Sequence, residues 1–157
     1  MKKVGIIGGS GLYDIEGLED LKEQKIDTPF GKPSDTYLTG TLDGVDVVFL
    51  PRHGKGHRIS PSEINFRANI YGMKKLGVDA ILSVSACGSL KEELNPMDFV
   101  VSDQFVDRTN RNRQATFFAG GIVAHVAFAD PVCSQLSKLL VSAAKEIGST
   151  VHCGGTY

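Results

Sequence analysis

The chain has 157 residues, of which 41% are hydrophobic and 22% charged, and its formal net charge is -1, all typical of a soluble globular domain. This near-neutral charge argues against a protein that binds nucleic acid by neutralising phosphates, and against a disordered acidic tail. No apolar run is long enough to cross a membrane, and the start of the chain turns polar too soon for a signal peptide. Three widely spaced cysteines exclude a disulfide framework, so we expect a cytoplasmic protein without nucleic-acid or membrane partners.

The first elements are predicted to be strands joined by turns. Val4–Ile7 is expected to form a buried strand, and the acidic stretch Tyr13–Asp20 a weak helix or turn. Thr36–Leu42 and Val45–Leu50 are predicted to pair as a hairpin, because Asp43-Gly44 between them is a strong turn signal.

A helix is predicted next, with an unusually complete start. Ser60 is expected to be the N-cap, Pro61 the first helical residue, and Glu63 the partner that closes a capping box. The helix should run to Leu76 and end at Gly77.

The second half continues the alternation of strands and helices. Ala80–Ala86 is predicted to be a second buried strand, Phe99–Val101 a third, and Thr150–Tyr157 the start of a further one. A helix should begin at Asp130-Pro131 and end at Gly148. Its apolar face is formed by Leu136, Leu139, Leu140, Ala143, Ala144 and Ile147. These elements predict an α/β fold with a mixed β-sheet flanked by helices.

Three glycine-containing loops follow predicted strands: Gly8–Gly11, Arg52–Gly56 and Ser85–Ser89. Ligands of such sheets bind at the carboxyl ends of the strands, so these loops are candidate binding loops. The first loop is not a dinucleotide fingerprint, because Asp14 occupies the position of the third glycine, and no P-loop is present. It is either an anion-binding turn that uses backbone N–H groups and the Ser10 hydroxyl, or a tight turn packed on the sheet.

The other two loops carry polar side chains of matching chemistry. Arg52-His53 offers a guanidinium beside an imidazole, which suits a phosphate dianion. The alternative is a solvated basic loop, which the nearby basic residues Lys55, His57 and Arg58 support. Ser85-Ala86 could meet a ligand or could simply end a core strand.

Two further residues invite a catalytic interpretation that their surroundings do not support. Cys87 lacks the pattern of a nucleophilic cysteine and is expected to be a small buried residue. His125 lies in the apolar, strand-like run Val123–Phe128 and is more typical of a hydrogen-bonded core histidine. The histidines and cysteines do not have metal-ligand spacing.

Several segments, taken together, are more specific than any single motif: Gly5–Leu12, Thr28–Gly31, Pro51–Gly54, Ser85–Leu90 and Asp103–Thr109. In order and spacing they resemble the methylthioadenosine phosphorylase family, which belongs to the trimeric purine nucleoside phosphorylases. His125, followed by Ala129-Asp130-Pro131, continues the match. The resemblance implies a nucleoside phosphorylase-like fold.

The resemblance also implies a reaction, which is phosphorolysis of the N-glycosidic bond of a purine nucleoside, above all 5′-methylthioadenosine. The products are the free purine and (5-methylthio)ribose-1-phosphate, phosphate is a co-substrate, and neither cofactor nor metal is implied. Carried over position by position, the phosphate contacts are Ser10, Arg52, His53, Ser85 and Ala86. His125 resembles a residue that completes the 5′-substituent pocket of the neighbouring subunit, so a homotrimer or dimer of trimers is implied.

The chain stops about where the family has a Gly-x-Arg-Phe segment. We therefore expect residues 1–157 to be the N-terminal portion of a single nucleoside phosphorylase domain. The purine-protonating residue would then lie beyond it, so no catalytic residue can be assigned. An isolated chain of this length is expected to be inactive and prone to aggregation. Two alternatives stay open: a phosphorylase of 6-oxopurine nucleosides (inosine, guanosine or methylthioinosine), and a non-catalytic domain that binds phosphate or only assembles with a partner.

Overall fold

The computed structural model describes residues 2–9, 16–109 and 116–157. Two compact units divide the chain. The first contains the described residues of Met1–Ala86 and Arg113–Phe117, and the second those of Cys87–Asn112 and Phe118–Tyr157. That residues 1–157 are part of one domain stays a prediction. Within the described ranges, no helix has the length and apolarity needed to cross a membrane.

A five-stranded mixed sheet forms the first unit, with the strand order β2-β3-β4-β1-β5. Its strands are β1 (Lys3–Gly8), β2 (Leu18–Gln24), β3 (Tyr37–Leu42), β4 (Val45–Pro51) and β5 (Ala80–Ser83). β1 is parallel to both of its neighbours, β4 and β5, whereas β2, β3 and β4 are antiparallel. The predicted α/β class with a mixed sheet is confirmed.

The predicted hairpin between β3 and β4 is also confirmed. Leu42 pairs with Val45, which leaves Asp43 and Gly44 as a two-residue turn. Both turn residues have positive φ, 47° for Asp43 and 76° for Gly44. This is the conformation that the Asp-Gly pair favours in two-residue hairpin loops.

The helix of the first unit, α1 (Phe66–Lys75), begins later than predicted. Ser60 and Glu63 do interact, since the Glu63 carboxylate accepts from the Ser60 hydroxyl at 2.6 Å and from its backbone N–H at 3.1 Å. These bonds close an isolated turn and do not start a helix. The N-cap is Asn65, whose Oδ1 accepts from the backbone N–H of Ala68 at 3.1 Å.

Asn65 has a second role that a serine could not perform. Its Nδ2 donates to the carbonyl oxygens of Phe30 at 2.6 Å and Lys32 at 3.3 Å, which attaches the preceding loop to the helix start. The predicted end of the helix is confirmed: Gly77 has a φ of 75°, and its N–H donates to the Lys74 carbonyl.

The core of the first unit is centred on Tyr37, which is fully buried between the sheet and α1. Its hydroxyl donates to the carbonyl oxygens of Asn69 at 2.9 Å and Ala68 at 3.2 Å. Burial raises the pKa of this phenol well above its usual range. The ring fits against the helix because position 72 is glycine, where any Cβ would overlap the phenol.

The second unit contains α2 (Ser134–Glu146) and two parallel strands, β6 (Phe99–Val101) and β7 (Val151–Cys153). α2 begins after Cys133, three residues later than Asp130-Pro131 predicts, and it ends as predicted at Gly148, where φ is 74°. The predicted apolar face of α2 is not a buried face, since this helix has no buried residue.

Three other predictions of local structure are wrong in whole or in part. Of Tyr13–Asp20, residues 16–17 form a turn as predicted, residues 18–20 belong to strand β2, and residues 13–15 lie outside the described residues. Ala80–Ala86 is a strand only to Ser83 and is half-buried at most, because β5 is an edge strand. Val123–Phe128 is not a strand, and its residues are exposed.

Candidate functional site

The strands that precede the three predicted loops end at one edge of the sheet. Because β1 is parallel to β4 and β5, the carboxyl ends of these strands lie at the same edge. Backbone hydrogen bonds join their exits: the N–H of Arg52 donates to the Gly8 carbonyl at 3.3 Å, and that of Val84 to the Ile7 carbonyl at 2.9 Å. The described candidate residues Arg52, His53, Ser85 and Ala86 therefore lie at this edge.

Arg52, the first residue after β4, holds the loops together through its guanidinium group. Nη1 donates to the Val84 carbonyl oxygen at 2.8 Å, and Nη2 donates to the Ser85 hydroxyl at 3.2 Å. Nε donates to Nε2 of the His53 ring at 3.1 Å. A guanidinium has five N–H bonds, so two remain that no described residue accepts, one on each terminal nitrogen.

His53 is buried, with 8% of its surface exposed. Its Nδ1 lies 2.9 Å from the carbonyl oxygen of Ile59, and the backbone N–H of Ile59 donates to the His53 carbonyl, also at 2.9 Å. The ring stacks on that of His57, with centroids 4.3 Å apart and an interplanar angle of 16°. The side chain and the main chain of His53 are thus both fixed.

A carboxylate from another loop fixes the basic loop that follows. Asp35 accepts from the backbone N–H of Lys55 at 2.6 Å and forms an ion pair with Arg58 at 3.1 Å. Burial acts to raise the pKa of Asp35, but the N–H groups of Lys55 and Thr36 and the Arg58 guanidinium outweigh it, so the pKa lies below its ordinary value. Asp35 is therefore ionised and keeps the loop closed.

Ser85 and Ala86, the first two residues of the third loop, are exposed. The Ser85 hydroxyl accepts from Arg52 and lies 3.2 Å from the Ala86 carbonyl oxygen, to which it donates. Gly9 follows the end of β1, and a Cβ at this position would meet nothing within 4 Å. Ser10, the remaining candidate phosphate contact, lies outside the described residues.

The structure brings together Arg52, His53 and Ser85 by direct hydrogen bonds, with Ala86 adjoining. His125 belongs to the second unit and is exposed, so it is not the core histidine that the apolar run predicts. Cys87 is exposed and free, contrary to the prediction of a buried residue. Among the described residues, no group of histidine, cysteine, aspartate and glutamate side chains could hold a metal ion.

Three groups at this edge were not predicted from the sequence. The carbonyl oxygens of Val84 and Ile59 position the functional side chains, and a main-chain carbonyl has no sequence signature. Asp35 lies 20 residues before the Lys55 N–H that it binds, in a different loop. Only the fold shows that these groups meet.

Comparison with known proteins gives one consistent result. The family model described as the phosphorylase superfamily matches residues 3–157. The S-methyl-5′-thioadenosine phosphorylase of Geobacter sulfurreducens is 62% identical over 98% of this chain and 54% of its own length. That of Hyperthermus butylicus is 56% identical over 98% of this chain and 56% of its own length.

The solved structures that this chain resembles carry the same enzyme name as its sequence relatives. The crystal structure of a methylthioadenosine phosphorylase from an antarctic soil metagenomic library has a TM-score of 0.94 and 49% identity, and the match covers 98% of this chain and 54% of that one. The Schistosoma mansoni methylthioadenosine phosphorylase, in complex with adenine, has a TM-score of 0.91 and 41% identity over 99% of this chain and 64% of that one. The chain spans about half the length of the curated relatives it matches.

Proposed function

We infer the function of this protein from its family, because the chain belongs to the phosphorylase superfamily. The proposed reaction is phosphorolysis of the N-glycosidic bond of a purine nucleoside, with 5′-methylthioadenosine as the principal substrate. The names of the relatives favour this nucleoside over the 6-oxopurine nucleosides. The products would be adenine and 5-methylthioribose-1-phosphate, with inorganic phosphate as co-substrate and no cofactor.

The observation that carries this proposal is the anchored guanidinium of Arg52. It is held at the carboxyl-end edge of three parallel strands, and two of its N–H bonds remain for a ligand among the described residues. Arginine N–H pairs match the oxygens of a phosphate, and Ser85 and the backbone at Ala86 adjoin. We assign Ser10 to the same phosphate site from the family resemblance.

The chemistry required of this site is positioning and charge compensation. Near neutral pH, a substantial share of inorganic phosphate is already the dianion, so phosphate needs no general base to act as a nucleophile. An anion held in line with the ribosyl carbon both attacks that carbon and stabilises the positive charge that develops there. Protonation of the departing purine is a separate task, for which no residue of this chain is assigned.

The proposed assembly is a homotrimer or a dimer of trimers, in which His125 completes the 5′-substituent pocket of a neighbouring subunit. In support, residues 121–130 are all exposed although several are apolar, including Val123, 82% exposed, and Val126, 70% exposed. Exposed apolar surface of this kind often marks a protein interface. The proposed location is the cytoplasm, which agrees with cysteines that are all free.

The test is base release by the natural protein that contains this sequence. The protein is incubated with 5′-methylthioadenosine, with and without phosphate, and adenine is measured by chromatography. Inosine, guanosine and methylthioinosine are run in parallel, and light scattering reports the subunit number. Adenine release that depends on phosphate is the expected result. Release of hypoxanthine or guanine alone would replace the substrate, and no release from any nucleoside would refute the proposed reaction.

A further inference from the structure

The hydrogen-bond partners of His53 determine its tautomer. Nδ1 faces the Ile59 carbonyl oxygen at 2.9 Å, and a carbonyl can only accept, so Nδ1 carries the hydrogen. Nε2 faces the Nε–H of Arg52 at 3.1 Å, and a guanidinium can only donate, so Nε2 presents its lone pair. The Nδ1–H tautomer is the form of the ring that satisfies both partners.

A ring in this state has no N–H to offer an anion. To donate to a phosphate oxygen, His53 would have to release Ile59 or Arg52, or take a second proton beside the Arg52 cation. The first option is opposed by burial, by the stack on His57 and by the reciprocal backbone bond with Ile59. The second places two positive charges 3.1 Å apart.

The same geometry gives the ring a different task. With Nε held by His53, Nη1 by the Val84 carbonyl and Nη2 by Ser85, the guanidinium plane is fixed at three points. A carboxylate in place of His53 would also hold Nε, but it would neutralise the charge that an anion needs. A neutral imidazole holds the group and leaves its full positive charge.

We propose that His53 is a positioning residue, whose imidazole ring acts on the phosphate through Arg52 and makes no direct hydrogen bond with it. This inference rests on the proposed function only in that Arg52 binds phosphate. It differs from the direct contact that the family resemblance implies for His53. It assigns the contact to the two N–H bonds of Arg52 that no described residue accepts.

Two substitutions separate the two hydrogen bonds of the ring. His53→Gln can place an acceptor near the position of Nε2 and so keep Arg52 oriented, whereas His53→Asn can keep the donor to Ile59 but not reach Arg52. We expect the phosphate KM of the natural protein to rise about tenfold in His53→Asn and only about twofold in His53→Gln, with the nucleoside KM unchanged in both. The reverse order would mean that His53 merely holds the loop through Ile59, and would overturn the inference.

A double mutant distinguishes an indirect role from a direct one. In an Arg52→Ala background, His53→Asn should weaken the binding of inorganic phosphate, measured by calorimetry, by less than about twofold, because the residue through which it acts is gone. A further loss of about tenfold in that background would establish a direct contact and refute the proposal. If the wild-type protein binds phosphate but releases no purine, the reaction fails while this inference stands. If it binds no phosphate, both fail.

A spectroscopic readout is independent of turnover and of any loss of stability in the variants. The ¹⁵N chemical shifts of the His53 ring, assigned by comparison with His53→Gln, report which nitrogen carries hydrogen. We expect the Nδ1–H tautomer in the free protein and in the presence of saturating inorganic phosphate. A change to Nε2–H, or to a doubly protonated ring, on addition of phosphate would overturn the proposal.

Discussion

Replacement of Arg52 is the most direct test of the proposed anion site. Its three anchoring bonds, to Val84, Ser85 and His53, leave two N–H bonds for a phosphate. A hydrogen bond to a charged group contributes about 1.5–3 kcal/mol, and half-burial of Arg52 reduces the sum for two such bonds to about 2–4 kcal/mol. Arg52→Ala should therefore raise the phosphate KM about 30- to 900-fold and change the nucleoside KM little.

Arg52→Lys sharpens this test because it retains the charge. An ammonium cannot hold three anchors and also present two parallel donors, so we expect a loss closer to that of alanine than to wild type. Arg67→Ala is the matched control, since Arg67 belongs to the same unit but lies over the Phe30 ring, 4.9 Å from its centroid. Phosphorolysis rates at varied phosphate provide the constants. A phosphate KM within about twofold of wild type in Arg52→Ala would remove Arg52 from the site.

Three further outcomes follow from the fold of the first unit and are measured by urea unfolding or its pH dependence. Asn65→Ala should lower the free energy of unfolding by about 1–2 kcal/mol, whereas Ser60→Ala should change it by less than about 0.5 kcal/mol; equal effects would contradict Asn65 as the cap. Gly72→Ala should destabilise the protein by about 3 kcal/mol, despite the better helix propensity of alanine, because the new Cβ overlaps Tyr37; a more stable variant would contradict this packing. Asp35 has a folded-state pKa below its ordinary value of 3.8, so its stabilising effect is present above that pH and is lost as pH falls through the folded pKa. The stability difference between wild type and Asp35→Asn should therefore persist at neutral pH and shrink in acid, and a difference independent of pH would refute the role of its charge.

Local signals in the sequence predicted those elements whose own residues determine them. The Asp43-Gly44 turn and the glycine that ends each helix, Gly77 and Gly148, require positive φ, which few other residues adopt at low cost. Strand β2 was missed because its sequence, Leu18–Gln24, is mostly charged and exposed. Such a strand is tolerated at a sheet edge, where charged side chains also discourage pairing with other chains.

The helix start was mispredicted because two adequate caps compete within six residues. Ser60 and Asn65 are both good N-cap residues, and local propensity does not choose between them. The choice is made by the loop carbonyls at Phe30 and Lys32, which an asparagine amide can bind while its oxygen caps the helix. These carbonyls are more than 30 residues distant in the chain, so the decisive contact is tertiary.

The two arginines of the basic loop show why the chemistry of a site depends on its partners as well as its residue types. Arg58 faces the carboxylate of Asp35, so its charge is balanced and its role is to close the loop. Arg52 is held by a carbonyl, a hydroxyl and an imidazole, and no described carboxylate forms an ion pair with it. Its charge is thus uncompensated within the described residues, in a group that is already oriented. An incoming dianion would supply the missing charge without first displacing an internal partner, which is the condition that favours anion binding at Arg52 over Arg58.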